Sequence, residues 1–249
     1  MSNKPKVSVI MTVYNKSKYL DCSIKSILDQ TYKNLELIIV EDCSTDNSKE
    51  IIKAYSTYPQ IQIIYNDQNI GCYASRNLAL EKCTGEIIAF QDADDISLKK
   101  RIKKQVKFMK KYNLLMCGCD IVRTNFENIC KNEKELMLEI RKQKFKHHFG
   151  YATLLIHKLL FEKHGNFLEY RKGMDMEFGE RILFYECNIN FEIHEKSDSW
   201  NYYNTKSNDI YKKINKLLYI CPKMNSSNIT LGVRDNAFLK KKLWRKNYK

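Results

Sequence analysis

Apolar and polar residues alternate in blocks along the first hundred positions. Val7 to Val13 is a continuous, largely β-branched run, which predicts a strand buried on both faces. From Ser17 onward, Leu20, Ile24, Ile27 and Leu28 recur at helical spacing, and Thr31-Tyr32-Lys33-Asn34 breaks the helix. Leu35 to Glu41 reads as a second strand ending in acid, Glu41-Asp42. Ser44-Thr45-Asp46-Asn47 then turns and caps a helix through Ile51, Ile52 and Tyr55. Ile61 to Tyr65 is a third strand, Asn66 to Gly71 a loop, Ala74 to Cys83 a helix and Glu86 to Phe90 a fourth strand. Strands alternating with helices of this length predict β-α-β units and a parallel sheet covered on both faces.

The pattern loosens afterwards. Leu98 to Tyr112 predicts a very basic amphipathic helix with Ile102, Val106 and Met109 inward, followed by a short strand over Leu114 to Cys119. Asn125 to Phe149 is polar and charged, Ala152 to Ile156 strand-like, and Gly173 to Glu186 helical. Beyond Asn204 apolar residues are sparse until Phe238 to Trp244. No repeat and no clear linker divides the chain. The expected organisation is one domain over 1–225, its halves meeting near residue 100, and a basic tail over 226–249.

In open parallel sheets, ligands bind outside the carboxyl ends of the strands. Three strands here end in chemically loaded segments: Thr12-Val13-Tyr14-Asn15, Glu41-Asp42-Cys43-Ser44 and Asp92-Ala93-Asp94-Asp95. Like charges at a strand tip are unfavourable unless something positive joins them. Asp92 and Asp94 supply hard oxygen donors suited to Mg2+ or Mn2+, which would neutralise a nucleotide's phosphates. Asp95 is read as an aid to starting the next helix.

Composition narrows the choice of chemistry. A hydrophobic content of 43% supports a buried core, and a net charge of +14 points to anionic partners. The nine cysteines are scattered without a C-x-x-C pair, which predicts reduced, mostly buried thiols and a cytoplasmic protein. No G-x-G-x-x-G follows the first strand, and no phosphate-binding G-x-x-x-x-G-K-[ST] or G-x-S-x-G elbow occurs. With eight glycines, phosphate binding would rely on a metal and basic side chains.

Val7-Ser-Val-Ile-Met-Thr-Val-Tyr-Asn15, Tyr19-Leu20 through Gln30-Thr31, and Leu37-Ile-Ile-Val-Glu-Asp42-Cys-Ser-Thr-Asp46 resemble the opening of family 2 glycosyltransferases of the GT-A fold. Asn69-Ile-Gly71, Ala74-Ser-Arg76-Asn77 and Gly85 through Asp95 continue the resemblance in order, and it returns at Gly165-Asn-Phe167 and Gly173 to Ile182. The fold it implies is an α/β/α sandwich with a mostly parallel central sheet and a smaller, irregular acceptor-side half.

The resemblance implies an inverting transfer from a nucleotide sugar, UDP-linked in the first instance, to a hydroxyl of a glycan, lipid-linked or protein acceptor. Thr12, Val13 and Tyr14 would cradle the nucleobase and Asp42 would accept a hydrogen bond from its imide. Arg76 and Asn77 would lie beside the nucleotide. Asp92 would contact ribose or a metal-bound water, with Ala93 next to it, and Asp94 would coordinate the divalent ion on the diphosphate. Asp175 falls on the general base and Glu177, the acid after it, is its substitute as catalytic carboxylate, while Met174 and Thr205 depart from the family pattern where an acid and a histidine are usual. Plainer readings exist: Tyr14 as rim packing, Asp42 as a turn residue, Arg76 paired with Glu81, Asp175 as an N-cap and Glu177–Arg181 as an i,i+4 pair. The tail from Phe238 to Lys249 fits a docked terminal helix or a peripheral foot on a membrane surface. The alternative functions are an inactive scaffold of the same fold and a basic nucleic-acid binder. Nucleic acid is not expected, because no aromatic-basic recognition motif accompanies the charge.

Overall fold

The computed structural model describes residues 1–124, 148–149, 151–169, 177–179, 181–182 and 211–222. Its elements in chain order are β1 (Val7–Val13), α1 (Ser17–Leu28), β2 (Leu35–Glu41), α2 (Ser48–Lys53), β3 (Ile61–Tyr65), α3 (Cys72–Lys82) and β4 (Ile87–Phe90). There follow β5 (Ile96–Ser97), α4 (Arg101–Tyr112), β6 (Met116–Thr124), β7 (His148–Phe149), a 3-10 turn (Tyr151–Thr153), β8 (Leu155–His157), α5 (Leu159–His164) and β9 (Tyr211–Pro222). Residues 177–179 and 181–182 are helical.

The described strands form one sheet in the order β3-β2-β1-β4-β8-β6-β9-β5, with β7 on β6. β3, β2, β1 and β4 are mutually parallel, β8 inserts antiparallel, and β6 pairs in parallel with β9, so most of the paired length is parallel. Because successive side chains of a strand point to opposite faces, β1 feeds two cores. Val7, Val9, Met11 and Val13 pack with Leu20, Ile24 and Ile27 of α1, Ile52 of α2 and Ile102, Val106 and Met109 of α4. Ile10 joins the other layer, with Ala79 and Leu80 of α3, Leu160 and Phe161 of α5, and Phe167 and Phe178. Helices therefore cover both faces, as the block pattern requires. The 3.6-residue period of α1 buries Leu20, Ile24 and Ile27 completely, which removes about 1.5–3 kcal/mol of apolar exposure per side chain.

Gln30 ties the layers together. Its amide nitrogen donates to the carbonyls of Ser26 (3.0 Å) and Leu98 (2.9 Å), and its oxygen accepts from the Ile102 amide at 3.1 Å. That bracket holds Leu98 to Lys100 as a turn, so α4 starts at Arg101 rather than at Leu98. Other expectations need correction. The short β5 follows Asp95 where a helix start was expected. Only Leu155–His157 of the strand-like stretch is strand, because Thr153 turns the chain and its hydroxyl engages the Cys119 amide and carbonyl at 3.2 and 3.1 Å. The region after Asn204 holds the twelve-residue β9. Cys22 is disulfide-bonded, against the expectation of reduced thiols, whereas Cys43, Cys72, Cys83, Cys117 and Cys119 are free. Among the described residues no helix is long and apolar enough to cross a membrane. Asp175, Met174, Thr205 and the basic tail lie outside the described residues.

Candidate active site

Parallel pairing in register aligns the carboxyl ends of the first four strands. Val13 faces Glu41, Glu41 faces Tyr65, and Ile10 faces Phe90. The segments after β1, β2, β3 and β4 consequently share one edge. Strand order reverses at β1, whose neighbours are β2 and β4, and the helices after β1 and before β4 lie on opposite faces. A crevice forms at such a switch point because neither helix covers it.

The first two loops are sewn together. Asn15, at φ 52°, accepts at Oδ1 from the Thr45 amide at 2.8 Å and the Asp46 amide at 3.3 Å. Asp46 accepts from the Ser17 amide at 3.0 Å and the Ser48 amide at 2.9 Å, while the Lys16 amide donates to Ser48 Oγ at 3.0 Å. Burial opposes ionisation of Asp46, but the hydrogen bonds from Ser48 and Ser17 outweigh it and bring its carboxyl down to about 2.

Asp42 is 3% exposed. Its Oδ1 accepts from Asn66 Nδ2 and from the Ile70 amide, both at 2.9 Å, and its Oδ2 accepts from the Gly71 amide at 2.9 Å. The carboxylate thus gathers the β3–α3 loop around itself. Two ionised oxygens offer about four acceptor positions, so three bonds leave capacity on Oδ2 for one more donor. Gly71, at φ 90°, is the N-cap of α3 and turns the chain where a side chain would be strained.

At the tip of β4 each aspartate meets a cation. Lys16 Nζ lies 2.6 Å from Asp94 Oδ2, and Arg76 Nη2 lies 3.2 Å from Asp92 Oδ1. Arg76 is itself buried, its guanidinium 5.3 Å from the Tyr73 ring centroid and 5.1 Å from that of Phe90. The unfavourable like charges of the sequence motif are met by partners from the β1–α1 turn and from α3. Lys16 carried no signal in the sequence, because its partner lies 78 residues away. The floor beneath is rigid. Arg101, fully buried, donates from Nε to Gln105 at 3.1 Å, from Nη1 to Gln91 Oε1 (3.1 Å) and Ser97 Oγ (2.8 Å), and from Nη2 to the carbonyls of Phe90 (2.9 Å) and Ala152 (3.0 Å). Gln91 Nε2 in turn donates to the Asp92 and Asp95 carbonyls at 3.1 and 2.7 Å, which shapes the aspartate loop.

The remaining expected residues fall as follows. Thr12 reaches Cys72 Sγ at 3.2 Å, Val13 is buried with its carbonyl on the Asp42 amide at 2.8 Å, and Tyr14 stands 46% exposed at the rim. Ala93 is buried between the two aspartates. Asn77 is committed elsewhere: its amide donates to the Phe167 carbonyl at 2.9 Å and accepts from the Phe167 amide at 3.1 Å, stapling α3 to the second half. Glu177 forms the i,i+4 pair its spacing predicts, with Oε1 and Oε2 each 2.9 Å from Arg181, and both residues are buried. Arg181 also donates to the carbonyls of His164 and Asn166. Among the described residues no group of three or more His, Cys, Asp or Glu side chains is placed to hold a metal.

A sequence model described as glycosyl transferase family 2 matches residues 8–178. An uncharacterized glycosyltransferase of Methanocaldococcus jannaschii is 44% identical over 192 residues, covering 73% of this chain and 66% of that protein. The chain spans 41%, 42% and 55% of the length of three bacterial relatives. Among solved structures, S. aureus TarS in complex with UDP-GlcNAc superposes with a TM-score of 0.65 at 19% identity, covering 89% of this chain and 60% of that one. A mannosyltransferase from Pyrobaculum calidifontis in complex with GDP-Man and Mn2+ gives 0.60 at 18% identity, covering 89% and 57%. These likenesses show the GT-A fold, an α/β architecture with a mostly parallel central sheet.

Proposed function

The chain belongs to glycosyl transferase family 2, and we propose that it transfers a sugar with inversion from a UDP-linked donor to an acceptor hydroxyl. The observation that carries this reading is the meeting of Asp42, Arg76, Asp92 and Asp94 at the switch point of the sheet. Asp42 is held so firmly by Asn66, Ile70 and Gly71 that its remaining acceptor position is fixed in space, as recognition of a base imide requires. Tyr14 offers an exposed ring at the same edge. The neighbours' UDP-GlcNAc and GDP-Man support a nucleotide-sugar donor here.

The residues fit a divalent ion of the magnesium or manganese type. Such ions take one or two carboxylates and complete their shell with water and phosphate oxygens, and the described site offers two aspartates and no third protein ligand. Asp94 Oδ1 has no partner among the described residues. Asp94 and Asp92 would hold the ion, which when bound supplies Lewis-acid stabilisation to the departing diphosphate. Arg76 adds a fixed positive charge beside Asp92. With both carboxylate oxygens of Glu177 engaged by Arg181, that residue suits anchoring its helix, and proton abstraction from the acceptor falls to Asp175.

Asp94→Ala is expected to abolish Mn2+-dependent UDP binding and transfer, measured by calorimetry and by release of UDP from a panel of UDP- and GDP-sugars. Unaltered turnover in this variant would overturn the assignment. Nucleotide-sugar binding by the wild-type chain with no transfer or hydrolysis across the panel would favour the scaffold reading.

A further inference from the structure

We propose that Lys16 is an exchangeable counter-ion of this site: it holds Asp94 while the donor is absent and moves to the donor's diphosphate when Asp94 takes the divalent ion. The inference rests on the nucleotide-sugar reading above for its second half only. Its starting point is the 2.6 Å contact between Lys16 Nζ and Asp94 Oδ2. The pair is partly sheltered, at 22% and 14% side-chain exposure, so water screens it less than it would a surface pair.

The root of Lys16 is fixed and its tip is not. Its amide donates to Ser48 Oγ at 3.0 Å, its carbonyl accepts from the Tyr19 and Leu20 amides at 3.2 and 3.1 Å, and it is the N-cap of α1. The ammonium has Asp94 as its one partner among the described residues. Four flexible methylene groups let it swing across the crevice without disturbing the backbone. An ammonium and a dication on one carboxylate repel each other, so occupancy of Asp94 by a metal displaces Lys16. A diphosphate arriving with that metal brings the negative charge to which the released ammonium can move.

Two consequences follow. Without donor, Lys16 competes with the metal for Asp94 and keeps metal binding weak. With donor, the competition is relieved and Lys16 contributes to diphosphate binding, so metal and donor bind with positive coupling.

The test compares wild type, Lys16→Ala and Lys16→Arg. Mn2+ alone is titrated and free Mn2+ read by paramagnetic resonance, and UDP is then titrated calorimetrically with and without Mn2+. Lys16→Ala is expected to bind Mn2+ alone about tenfold more tightly than wild type, within the usual range of coupling between sites. At saturating Mn2+ it should bind UDP about tenfold more weakly, and Lys16→Arg should stay near wild type in both. A merely structural lysine would not raise affinity for a metal when removed. Unchanged or weakened Mn2+ binding in Lys16→Ala overturns the proposal, as does unchanged UDP binding at saturating Mn2+. The manganese arm needs no nucleotide, so failure of wild type to bind UDP would overturn the donor reading and leave the Lys16 claim to be decided by Mn2+ alone.

Discussion

Replacing Asp42 by Asn separates what this carboxylate does for the fold from what it does for a ligand. The three donors around it, Asn66 Nδ2, Ile70 N and Gly71 N, all sit at 2.9 Å. Hydrogen bonds to a charged acceptor contribute about 1.5–3 kcal/mol each, and neutral ones about 0.5–1.5. In Asp42→Asn the carboxamide oxygen can keep the Asn66 and Ile70 bonds in weakened, neutral form. Its NH2 group then faces the Gly71 amide, donor against donor, and that bond is lost. One charged bond gone and two reduced comes to roughly 3–5 kcal/mol, of which water entering the loop recovers part. A net local cost of about 3 kcal/mol corresponds to faster exchange of the Ile70 and Gly71 amides by about a hundredfold. Hydrogen exchange read at those two amides, with the β1 and β2 amides as internal reference, measures it directly. UDP affinity should fall in the same variant, because the acceptor left on Oδ2 becomes a donor. Wild-type protection at Ile70 and Gly71 would refute the structural reasoning. Unchanged UDP affinity alongside lost protection would refute base reading by Asp42.

Other changes probe the scaffold. A Cβ at Gly85 would lie 2.7 Å from the Lys6 carbonyl, the Ser8 amide and Ser8 Oγ, two of them backbone atoms that cannot yield, so Gly85→Ala should cost about 1–3 kcal/mol. Urea denaturation checks this, and a wild-type midpoint would contradict it. Arg101→Met strips five hydrogen bonds from the floor and leaves the Phe90 and Ala152 carbonyls without their donors, so a loss of about 3–5 kcal/mol in melting experiments is expected. Retention of full stability would show that water replaces the guanidinium. Glu36 is lowered from 4.5 to about 2: burial opposes this, but hydrogen bonds from Lys6, Ser8 and Thr84 outweigh it. Its stabilisation is therefore complete above pH 4.5 and disappears as pH falls through about 2. Glu36→Gln should flatten the melting-temperature profile across that window, and an unchanged acid slope would remove Glu36 from the account.

The parts of the fold legible in the sequence were those whose signal is local. β1, β2 and β3 occupy the spans their apolar runs mark: β1 and β2 lie between neighbouring strands and need continuous hydrophobicity, whereas β3 is at the edge of the described sheet and its residues are half-buried or exposed. α3 starts two residues early, at Cys72, since the positive φ of Gly71 and its bond to Asp42 set the cap. β9 carries a weak local signal because three lysines and Asn215 interrupt its apolar residues, and its place is set by pairing with β6 and β5, far away along the chain. The aspartates at the strand ends were visible as charges without partners. Their partners were hidden for a geometric reason: Lys16 and Arg76 reach them from other elements. Arg101 was masked differently. Within a lysine-rich helix it resembles a solvated charge, and only the sheet behind it shows that its guanidinium is buried.

The site combines two kinds of electrostatics that should respond differently to perturbation. Below the rim, Arg101, Gln91 and Ser97 form a closed network with every guanidinium donor used, and its members are buried. Nothing in that network can rearrange without leaving a polar group unpaired, which fixes the backbone carrying Asp92 and Asp94. Above it, the pair Lys16–Asp94 is partly sheltered and the pair Arg76–Asp92 meets water through Asp92, which is 43% exposed. Pairs in contact with water contribute less to stability than dry ones, and the flexible Lys16 can be exchanged for a charged ligand while Arg76, buried against Tyr73 and Phe90, stays in place. Substitutions in the floor should therefore appear as losses of stability, and substitutions in the rim pairs as changes in affinity. On the proposed function, acceptance of a polyanion and a dication at one strand end calls for this division. The carboxylates have to stay in place while their counter-ions change, and the buried arginine beneath them supplies that constraint without competing for the ligand.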